Sequence, residues 1–441
     1  MKSRVASIAG VFVIAVCMQT SLGGSPGSGK DIVLRGVSVY GLNSEDVFPV
    51  VVRDTLYTKG KPRFTSGYIT IQFDVLAADP PPLKIRFLHC TRDWLPEDNL
   101  LIQDDMYNTS FYLEYKPASN GVQHYAYRYT NRFPDEKGVV KFNYSGNWIF
   151  RIMDKDEATV YAEGRFVVVD NISPTLVTVT NDFMTDRSSP FNQIQKVTVG
   201  IKLPDEIDGY NYTMVDIYQN RRLFNPYRID AQDRDPYTVV EGYNSGTRRF
   251  SISSIHPGNE YRVLNVSNAN RFPNKAVVRS LEGVDLPRLY WQGEPDNNGG
   301  AHLNKFTGIN SDYLDVLFRL DPAGQREKLT RGERRVYLVA SFNEWWPLQE
   351  DTLMYDPTER IYTARRLLRR GVYDYQYVTG SWDERQWSVV EQDWLELEGN
   401  DWRTTNTYTA FVYYNDVRFG GIDRIVGFGV GQSDSAVPGS R

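Results

Sequence analysis

The feature that most constrains the fold is a series of short runs in which apolar and polar residues alternate. Gly, Pro, Asn or Asp separates these runs, which include Tyr68–Phe73, Leu83–Phe87, Trp148–Ile152, Gly164–Val169, Lys196–Ile201, Arg249–Ser253 and Asp315–Leu320. A period of two predicts strands with one buried face, and frequent turn residues predict antiparallel sheets. Aromatic residues reach 13% of the chain, which suits pleated, half-buried surfaces. We therefore predict an all-β protein made of serial immunoglobulin-like β-sandwich domains.

Turn-rich stretches divide the 441 residues into three predicted sandwiches. A strand that ends near Val169 is followed by Pro174, which marks the first boundary. We predict a first sandwich at residues 31–170, a middle sandwich at 174–310, a C-terminal module at 311–416 and a tail at 417–441. The second boundary leaves an alternative, because the polar run Pro322–Gly332 is either a linker or a hairpin loop after a strand at Tyr313–Leu320.

The first 23 residues have the three-part layout of a secretory signal peptide. Lys2 and Arg4 precede an apolar stretch at Val5–Met18, and small residues follow it up to Gly23. This stretch is shorter than the roughly 20 residues that span a bilayer. We expect an exported chain, with lipidation of Cys17 as the alternative. Removal of residues 1–23 leaves Cys90 as the one remaining cysteine, so no intrachain disulfide is expected.

His89 and Cys90 are neighbours in FLHCTRDWLP, at the end of a predicted strand. Adjacent residues of a strand point to opposite faces of the sheet, so these two side chains cannot act on each other as base and nucleophile. The sequence contains no H-E-x-x-H or Walker-type motif that would complete a catalytic site, and its one G-x-S-x-G match, Gly23–Gly27, lies at the end of the predicted signal peptide. We predict that Cys90 is a buried free thiol, that His89 forms a hydrogen bond at the strand end, and that the chain has no catalytic residues.

Charge and motif patterns exclude several other classes of site. The net charge is −5 and no basic block is present, which excludes nucleic acid as a partner. The acidic stretches Asp154–Asp156 and Asp205–Asp208 lack the spacing of a calcium loop, so no metal is expected. Gly427–Gly431 resembles half of a dinucleotide-binding loop, but no helix pattern follows it. We interpret it as a flexible terminal segment, and we expect no cofactor.

The stretch Val336–Pro347 and the aromatic strand that ends at Trp382 carry a resemblance to a sugar-binding class. They are similar to glycogen- and starch-binding modules of the early-set immunoglobulin-like class, whose G-x-F-x-x-W motif and later tryptophan stack on sugar. In this chain Ala340 stands at the glycine of that motif, and Gln376 stands where those modules often carry lysine. The resemblance implies a carbohydrate site at Asn343, Trp345 and Trp382, as an alternative to a loop in which the tryptophans only pack.

A wider resemblance extends along most of the chain. It rests on the following motifs, in order: H-C-x-x-D-W at His89–Trp94, Y-S-G-N-W at Tyr144–Trp148, the F-N-x-W module, Y-x-Y-x-Y-V at Tyr373–Val378, V-Y-Y-x-D at Val412–Asp416 and D-R-I-x-G at Asp423–Gly427. In this order they resemble the plug protein family of the bacterial type IX secretion system.

This resemblance implies a periplasmic, non-enzymatic protein at the inner side of the outer membrane. Its implied partner is the giant type IX translocon barrel, whose periplasmic mouth it closes, so that the protein is membrane-associated through its partner. A glycan ligand for an exported, carbohydrate-binding protein is the alternative.

Overall fold

The computed structural model describes residues 32–53, 67–99, 102–103, 106–136, 138–184, 192–204, 211–212, 214–242, 246–274, 277–280, 283–303, 305–325, 329 and 334–433. In these ranges the regular structure is almost entirely β-strand, which confirms the predicted all-β fold class. The predicted signal peptide with Cys17 and the acidic stretch Asp205–Asp208 lie outside the described residues.

The first sandwich consists of two sheets. One sheet has the strand order β1, β3, β7, β6, with bounds Val33–Gly41, Ile69–Leu76, Tyr127–Phe133 and Tyr115–Pro117. The other has the order β2, β9, β8, β4, β5, with bounds Val50–Val52, Val160–Val169, Gly146–Asp154, Leu83–Cys90 and Thr109–Ser110. The pairing of β2 with β9 is parallel. In the core, Phe142 packs against Phe87, Trp148 and Phe166.

The middle sandwich combines two distant parts of the chain. Its first sheet has the order β10, β11, β15, β14, with bounds Thr175–Phe183, Gln193–Lys202, Thr247–Ile255 and Thr238–Glu241. Its second sheet has the order β13, β12, β25, β26, with bounds Tyr227–Asp230, Met214–Gln219, Thr407–Asp416 and Ile422–Gln432. Val215, Tyr408 and Val412 join the two parts in one buried core.

The third sandwich is built around a long strand, β23, at Val372–Asp383. This strand pairs antiparallel with β16, β18, β20 and β24, with bounds Arg262–Asn265, Ala301–His302, Arg335–Ala340 and Ser388–Asp393. The facing sheet has the order β17, β19, β22, β21, with bounds Val277–Arg279, Tyr313–Leu320, Ile361–Arg369 and Met354–Asp356. Leu338, Phe318 and Tyr377 lie in the core between the sheets.

The sheet pairing corrects the predicted boundaries after residue 174. Met214–Gln219 pairs with Tyr408–Tyr413, so the middle sandwich is not confined to 174–310. The C-terminal module does not end at residue 416 either, because β25 belongs to the middle sandwich and the third sandwich begins with β16 at Arg262. The third sandwich is thus an insertion into the middle one.

The predicted tail at 417–441 is wrong for Ile422–Gln432, which forms strand β26. Its glycines serve close packing rather than flexibility. A Cβ atom on Gly429 would lie 3.0 Å from Val177 Cγ2, and one on Gly431 would lie 2.7 Å from the carbonyl oxygen of Val177. Glycine is therefore required where β26 crosses β10 closely. Residues 434–441 lie outside the described part.

Candidate functional site

An apolar cluster outside the three sandwich cores joins the first sandwich to the middle one. Its buried members are Val50, Leu88, Cys90, Trp94, Ile149, Val167 and Val169 from the first sandwich, and Tyr218, Phe411, Tyr413 and Ile425 from the middle one. We call this contact the first–middle interface. It covers the outer face of the β4-containing sheet, which explains why β4 is buried at seven of its eight positions.

His89 and Cys90 lie on opposite faces of β4, as the strand alternation predicted. The His89 ring meets Trp148 of the first core edge-on at 5.2 Å, and its Nε2 atom lies 3.0 Å from the carbonyl oxygen of Ser145. Burial lowers the pKa of His89 to about 4, so the ring is neutral at physiological pH. Cys90 belongs to the first–middle interface, where burial raises the pKa of its thiol to about 12. At neutral pH the thiol is therefore protonated and the imidazole is a weak base.

Arg92 forms the central polar contact of the first–middle interface. Its Nε and Nη2 atoms donate to Asp216 Oδ1 at 2.8 and 2.6 Å, and its guanidinium group lies 5.5 Å from the centre of the Tyr413 ring. Asp216 is fully buried on β12, and burial raises the pKa of this carboxyl group against the opposing effect of Arg92. The backbone N–H of Arg92 donates to Asp423 Oδ2 at 3.0 Å. One residue of the first sandwich is thereby bonded to two strands of the middle sandwich.

Asn147 extends this network on the neighbouring strand β8. Its Nδ2 atom donates to the carbonyl oxygens of Thr91 and Arg92 at 3.2 and 3.0 Å, and its Oδ1 atom accepts from the Tyr413 hydroxyl at 2.9 Å. The preceding Gly146 has a φ of 143°, and a Cβ atom there would lie 2.4 Å from His89 Nε2. The glycine of Y-S-G-N-W is therefore required sterically.

A chain of ion pairs continues from the first sandwich to the end of β25. Asp170 Oδ1 lies 2.9 Å from Arg53, and Asp170 Oδ2 accepts from Ser145 Oγ at 2.7 Å and from Arg424. Arg424 Nη1 also donates to Asp416 Oδ2 at 2.7 Å. Hydrogen bonds from Arg418 and Arg424 lower the pKa of Asp416 to about 2, so this carboxylate is charged across the physiological range.

Four of the six motifs that carried the wider family resemblance thus converge on one interface. His89–Trp94, Tyr144–Trp148, Val412–Asp416 and Asp423–Gly427 all contribute to it. The sequence alone did not predict this role for Arg92, Asp216 or Asn147, whose partners lie far away in the chain. One signal was available: β12 carries apolar residues on both faces, as a strand covered on both sides does.

The predicted sugar-site residues Asn343 and Trp345 lie together in a closed loop of the third sandwich. Asn343 Oδ1 accepts from the backbone N–H of Ala340 at 2.8 Å, and its Nδ2 atom donates to the carbonyl oxygen of Leu338 at 3.0 Å. The Trp345 ring is 2% exposed and lies 4.2 Å from the Tyr261 ring, centre to centre. Its Nε1 atom donates to the carbonyl oxygen of Gly299 at 2.9 Å. This indole has no open face for a sugar.

The surroundings of Trp345 also connect the three sandwiches. A Cβ atom on Gly299 would lie 3.0 Å from Trp345 Nε1 and 3.4 Å from the backbone nitrogen of Arg221 in the middle sandwich. Arg221 in turn donates to the carbonyl oxygens of Val39 and Val47 in the first sandwich, at 3.2 and 2.5 Å. The position that stacks on sugar in the similar modules is thus used here for packing within the third sandwich, close to the point where the three sandwiches meet.

Trp382, the third predicted sugar-site residue, lies at the other end of β23. The Trp345 loop follows Ala340, which pairs with Tyr375, and Trp382 is seven residues further along the strand. This corresponds to about 23 Å at the usual rise of a strand. Trp382 is half-buried and meets the exposed Trp387 edge-on at 6.2 Å. The structure therefore does not assemble Trp345 and Trp382 into one platform.

The first sandwich also contacts the third one directly. Tyr313 donates its hydroxyl to Asp74 Oδ2 at 2.9 Å, and Arg128 donates to both carboxylate oxygens of Asp74 at 2.6 and 2.7 Å. Nearby, the Tyr125 hydroxyl lies 2.7 Å from Ser311 Oγ. The first sandwich is thus joined to both of the other sandwiches by buried polar contacts.

The described residues lack both a metal-binding cluster and a membrane-spanning helix. No group of three or more His, Cys, Asp and Glu side chains in that part of the chain is arranged to hold a metal ion. The same residues include no helix with the length and hydrophobicity needed to cross a membrane.

Comparisons with solved structures support the fold. A hypothetical protein from Parabacteroides merdae, known from a crystal structure, is 20% identical, with a TM-score of 0.69 over 92% of this chain and 98% of that one. At that identity the likeness concerns the fold alone. The BSP domain of a biofilm associated protein aligns at 9% identity over 95% of this chain and 62% of that one. The B domain of a biofilm associated protein aligns at 10% identity over 91% of this chain and 84% of that one. Both TM-scores are 0.14, which is too low to compare the folds.

The family comparison concerns the first sandwich. No curated protein matches the chain. Residues 58–170, in contrast, match the family described as the type 9 secretion system plug protein 1st domain. The matched range includes two of the motifs that meet at the first–middle interface, His89–Trp94 and Tyr144–Trp148. This match confirms, for these residues, the resemblance seen in the sequence: they are similar to the first domain of the type 9 secretion system plug proteins.

Proposed function

We propose that the protein is a non-enzymatic component of the type IX translocon that occludes the periplasmic mouth of the outer-membrane barrel. The main observation in support of this proposal is that the first sandwich, which contains the plug-family match, packs against the middle sandwich through a buried interface. The family match supports a role in type IX secretion and a place in the cell envelope. We assign the protein to the periplasm, at the inner side of the outer membrane.

Rigidity is the physical property that supports occlusion. A protein that closes a wide pore has to resist deformation, and domains joined by small polar interfaces usually move relative to each other. Here the first–middle interface buries aromatic and aliphatic side chains on both sides and contains the buried Arg92–Asp216 pair. The Asp74–Tyr313 contact fixes the first sandwich to the third one as well. These contacts favour a rigid arrangement of the three sandwiches over one in which they move independently.

Binding to a barrel also requires an exposed surface that can bind another protein, and the first sandwich has an exposed apolar segment of this kind. The segment 106–115 exposes a group of large apolar side chains: Met106 at 74%, Phe111 at 53%, Tyr112 at 93% and Tyr115 at 45%. Exposed apolar groups of this kind are typical of surfaces that bind other proteins, where aromatic residues and methionine are enriched. We propose that this segment contributes to the contact with the barrel.

The role is tested in a deletion strain by two separate measurements. A barrel with an open mouth admits large molecules, so deletion should raise the uptake of a large antibiotic or dye that the outer membrane normally excludes. Export of type IX cargo into the medium should fall only partly or not at all, because the channel itself is intact. Unchanged uptake, in cells whose barrel is present and otherwise open, would refute occlusion.

A biochemical experiment tests the partner independently of permeability. The tagged protein, purified from solubilised membranes, should bring a giant outer-membrane barrel with it. Phe111→Ser and Tyr112→Ser together should reduce this co-purification, whereas Leu176→Ser should not, because Leu176 is 70% exposed but lies in the middle sandwich. Recovery of polysaccharide instead of a barrel would favour the carbohydrate-binding alternative.

A further inference from the structure

A cavity of about 460 Å³ lies where the middle and third sandwiches meet. Arg222 and Tyr227 line it from the middle sandwich, and Gln376 and Trp394 line it from the third. The segment that connects β15 to β16 forms a further wall, including His256. This volume is within the usual range for small-ligand sites. The cavity shares no residue with the first–middle interface, so a ligand could bind here whether or not the protein acts in secretion.

Gln376, which lines this cavity, has a side-chain hydrogen-bond donor without a partner. The residue lies in the middle of β23 and is 3% exposed, yet its Nε2 atom has no hydrogen-bond partner among the described residues. Buried amide groups are almost always paired, since an unpaired one loses its water without compensation. A buried donor that faces a cavity therefore indicates an acceptor from outside the chain.

Arg222 adds a positive charge that is already held in place. Its guanidinium group lies 4.1 Å from the centre of the Trp394 ring, and its Nε atom donates to the Tyr261 hydroxyl at 3.1 Å. Among the described residues no carboxylate lies within salt-bridge distance of it, and Nη1 has one long contact of 3.4 Å with Gln219. Stacking restricts the rotamers of the arginine, so little side-chain entropy is lost when it binds an anion.

The other polar groups of the cavity favour a singly charged ligand. Asp393 turns its Oδ1 atom to the backbone N–H groups of Leu395 and Glu396, both at 2.9 Å, and Glu391 lies exposed nearby. These two carboxylates disfavour a doubly charged phosphate by repulsion. Burial lowers the pKa of His256, so this residue adds no positive charge at neutral pH. A second arginine of the lining, Arg334, already donates to the carbonyl oxygens of Thr379 and Glu391 at 3.3 and 2.9 Å and lies 3.7 Å from Glu396 Oε2. Arg222 and the Gln376 amide are thus the cation and the donor that remain for a ligand.

We propose that this cavity binds a carboxylate group, with Arg222 as its charge partner and Gln376 as its second hydrogen-bond donor. The carboxylate can belong to a small organic acid or to the C-terminus of a peptide, since both present the same planar pair of oxygens. Arginine is well suited to this planar acceptor. The polar side chains around the cavity then contact the remainder of the ligand.

Isothermal titration calorimetry on the full chain tests the proposal with three probes: acetyl-Ala-Ala-Ala as the free acid, the same peptide as its C-terminal amide, and N-acetylalanine. We expect the acid to bind with a Kd of about 1 mM or tighter, and the amide at least about tenfold more weakly. Binding of N-acetylalanine as tight as that of the peptide acid would identify a small organic acid as sufficient. Binding of the peptide acid alone would identify a chain terminus. Equal binding of acid and amide, or no heat with either acid, would overturn the proposal.

Gln376→Leu separates a binding role from a structural one. The substitution removes an unpaired buried amide, so the variant should melt at a higher temperature than the wild type while its affinity for the acid falls at least about tenfold. Gln232→Leu, at an exposed site in the middle sandwich, is the matched control and should change neither property. Arg222→Gln should abolish discrimination between acid and amide, and Arg222→Lys should retain part of it. An unchanged affinity in Gln376→Leu would contradict the proposal even if Arg222 variants fail to fold.

Discussion

The backbone N–H of Asp401 donates to the carbonyl oxygen of Gly258 at 2.8 Å, although the whole third sandwich lies between these residues in the sequence. The side chain of Asn400 forms a second hydrogen bond at this place, because its Oδ1 atom accepts from the backbone N–H of Gly258 at 2.9 Å. The chain therefore leaves and re-enters the middle sandwich at one place. An insertion with adjacent ends can be removed without stretching the host domain.

The first prediction follows from these adjacent ends. Replacement of residues 259–400 by a short Gly-Ser linker should give a folded protein that contains the first and middle sandwiches, because both sheets of each remain complete. Size-exclusion chromatography and limited proteolysis should report a compact, resistant particle. In the permeability experiment, closure by this shortened protein would assign occlusion to the first two sandwiches.

A chain truncated before Pro322 is the informative contrast. It lacks β25 and β26, and with them half of the second sheet of the middle sandwich. We expect this chain to be protease-sensitive in its middle sandwich. A stable middle sandwich in the truncated chain, or an unfolded one after the excision, would contradict the inserted topology.

The sequence predicted the strands well and their pairing poorly, for a physical reason. Alternation is a local property, so runs such as Lys196–Ile201 and Asp315–Leu320 are readable wherever they pair. The pairing of Met214–Gln219 with β25 is set by packing between residues nearly 200 positions apart, and no local pattern marks it. The glycines of β26 were wrongly predicted to form a flexible segment, because glycine occurs both in flexible segments and where two strands pack closely.

The candidate site was predicted in part. Opposite faces for His89 and Cys90 followed from the period of a strand. The role of Arg92 could not follow, since it depends on Asp216 and Asp423 being brought together by the fold. For Trp345, the motif correctly predicted a loop. The burial of the ring could not be predicted, because it depends on packing against Tyr261 and on a hydrogen bond to Gly299.

A second prediction concerns the reactivity of Cys90. Because burial raises the pKa of this thiol to about 12, it should react very slowly with an alkylating reagent at neutral pH in the native protein and rapidly in denaturant. Cys90→Ala should cost roughly 1 to 2 kcal/mol in unfolding free energy and leave permeability unchanged. Fast labelling of the native thiol would contradict burial and restore a chemical role.

The third prediction concerns the buried Arg92–Asp216 pair. Arg92→Met leaves the buried Asp216 with only the longer contact to Arg228 at 3.8 Å, and Asp216→Leu leaves Arg92 with only Asp230 at 3.7 Å as a charge partner. We expect each single variant to cost about 3 kcal/mol in a denaturant titration. The double variant should regain much of that loss, since neither charge remains. Asp93→Asn is the control, because the Arg228–Asp93 pair is 40% and 66% exposed and should contribute about 0 to 1 kcal/mol. A double variant as unstable as the sum of the single variants would show that the two residues act independently.

The fourth prediction separates packing from sugar binding in the third sandwich. Trp345→Ala should cost about 3 to 5 kcal/mol because the ring is buried, whereas Trp382→Ala should cost clearly less. Retention on a glucan affinity gel should be absent in the wild type and in both variants. Retention of the wild type, lost in a variant that melts normally, would support the carbohydrate-binding alternative at the replaced residue.

The last prediction concerns pH and the contact between the middle and third sandwiches. Glu260 Oε1 accepts from the backbone N–H and the hydroxyl of Thr405 at 3.0 and 3.1 Å. Burial, together with the nearby charge of Asp296, raises the pKa of Glu260 from its ordinary 4.5 to about 7. The folded chain therefore holds this proton more tightly than the unfolded chain does. The resulting stabilisation is complete below about pH 4.5 and is lost as the pH rises through about 7.

Glu260→Gln tests this sign, because an amide keeps the acceptor for Thr405 and cannot ionise. Relative to the wild type, the variant should be more stable at pH 8, and the difference should shrink towards pH 5, as measured by urea unfolding at both values. Glu241→Gln, at an exposed position of β14, should show no such dependence. Asp374, whose pKa burial and Asp296 also raise to about 7, will keep a residual slope of the same sign in the variant. A Glu260→Gln chain that is less stable than the wild type at pH 8 would mean that the ionised carboxylate is the form that holds the two sandwiches together.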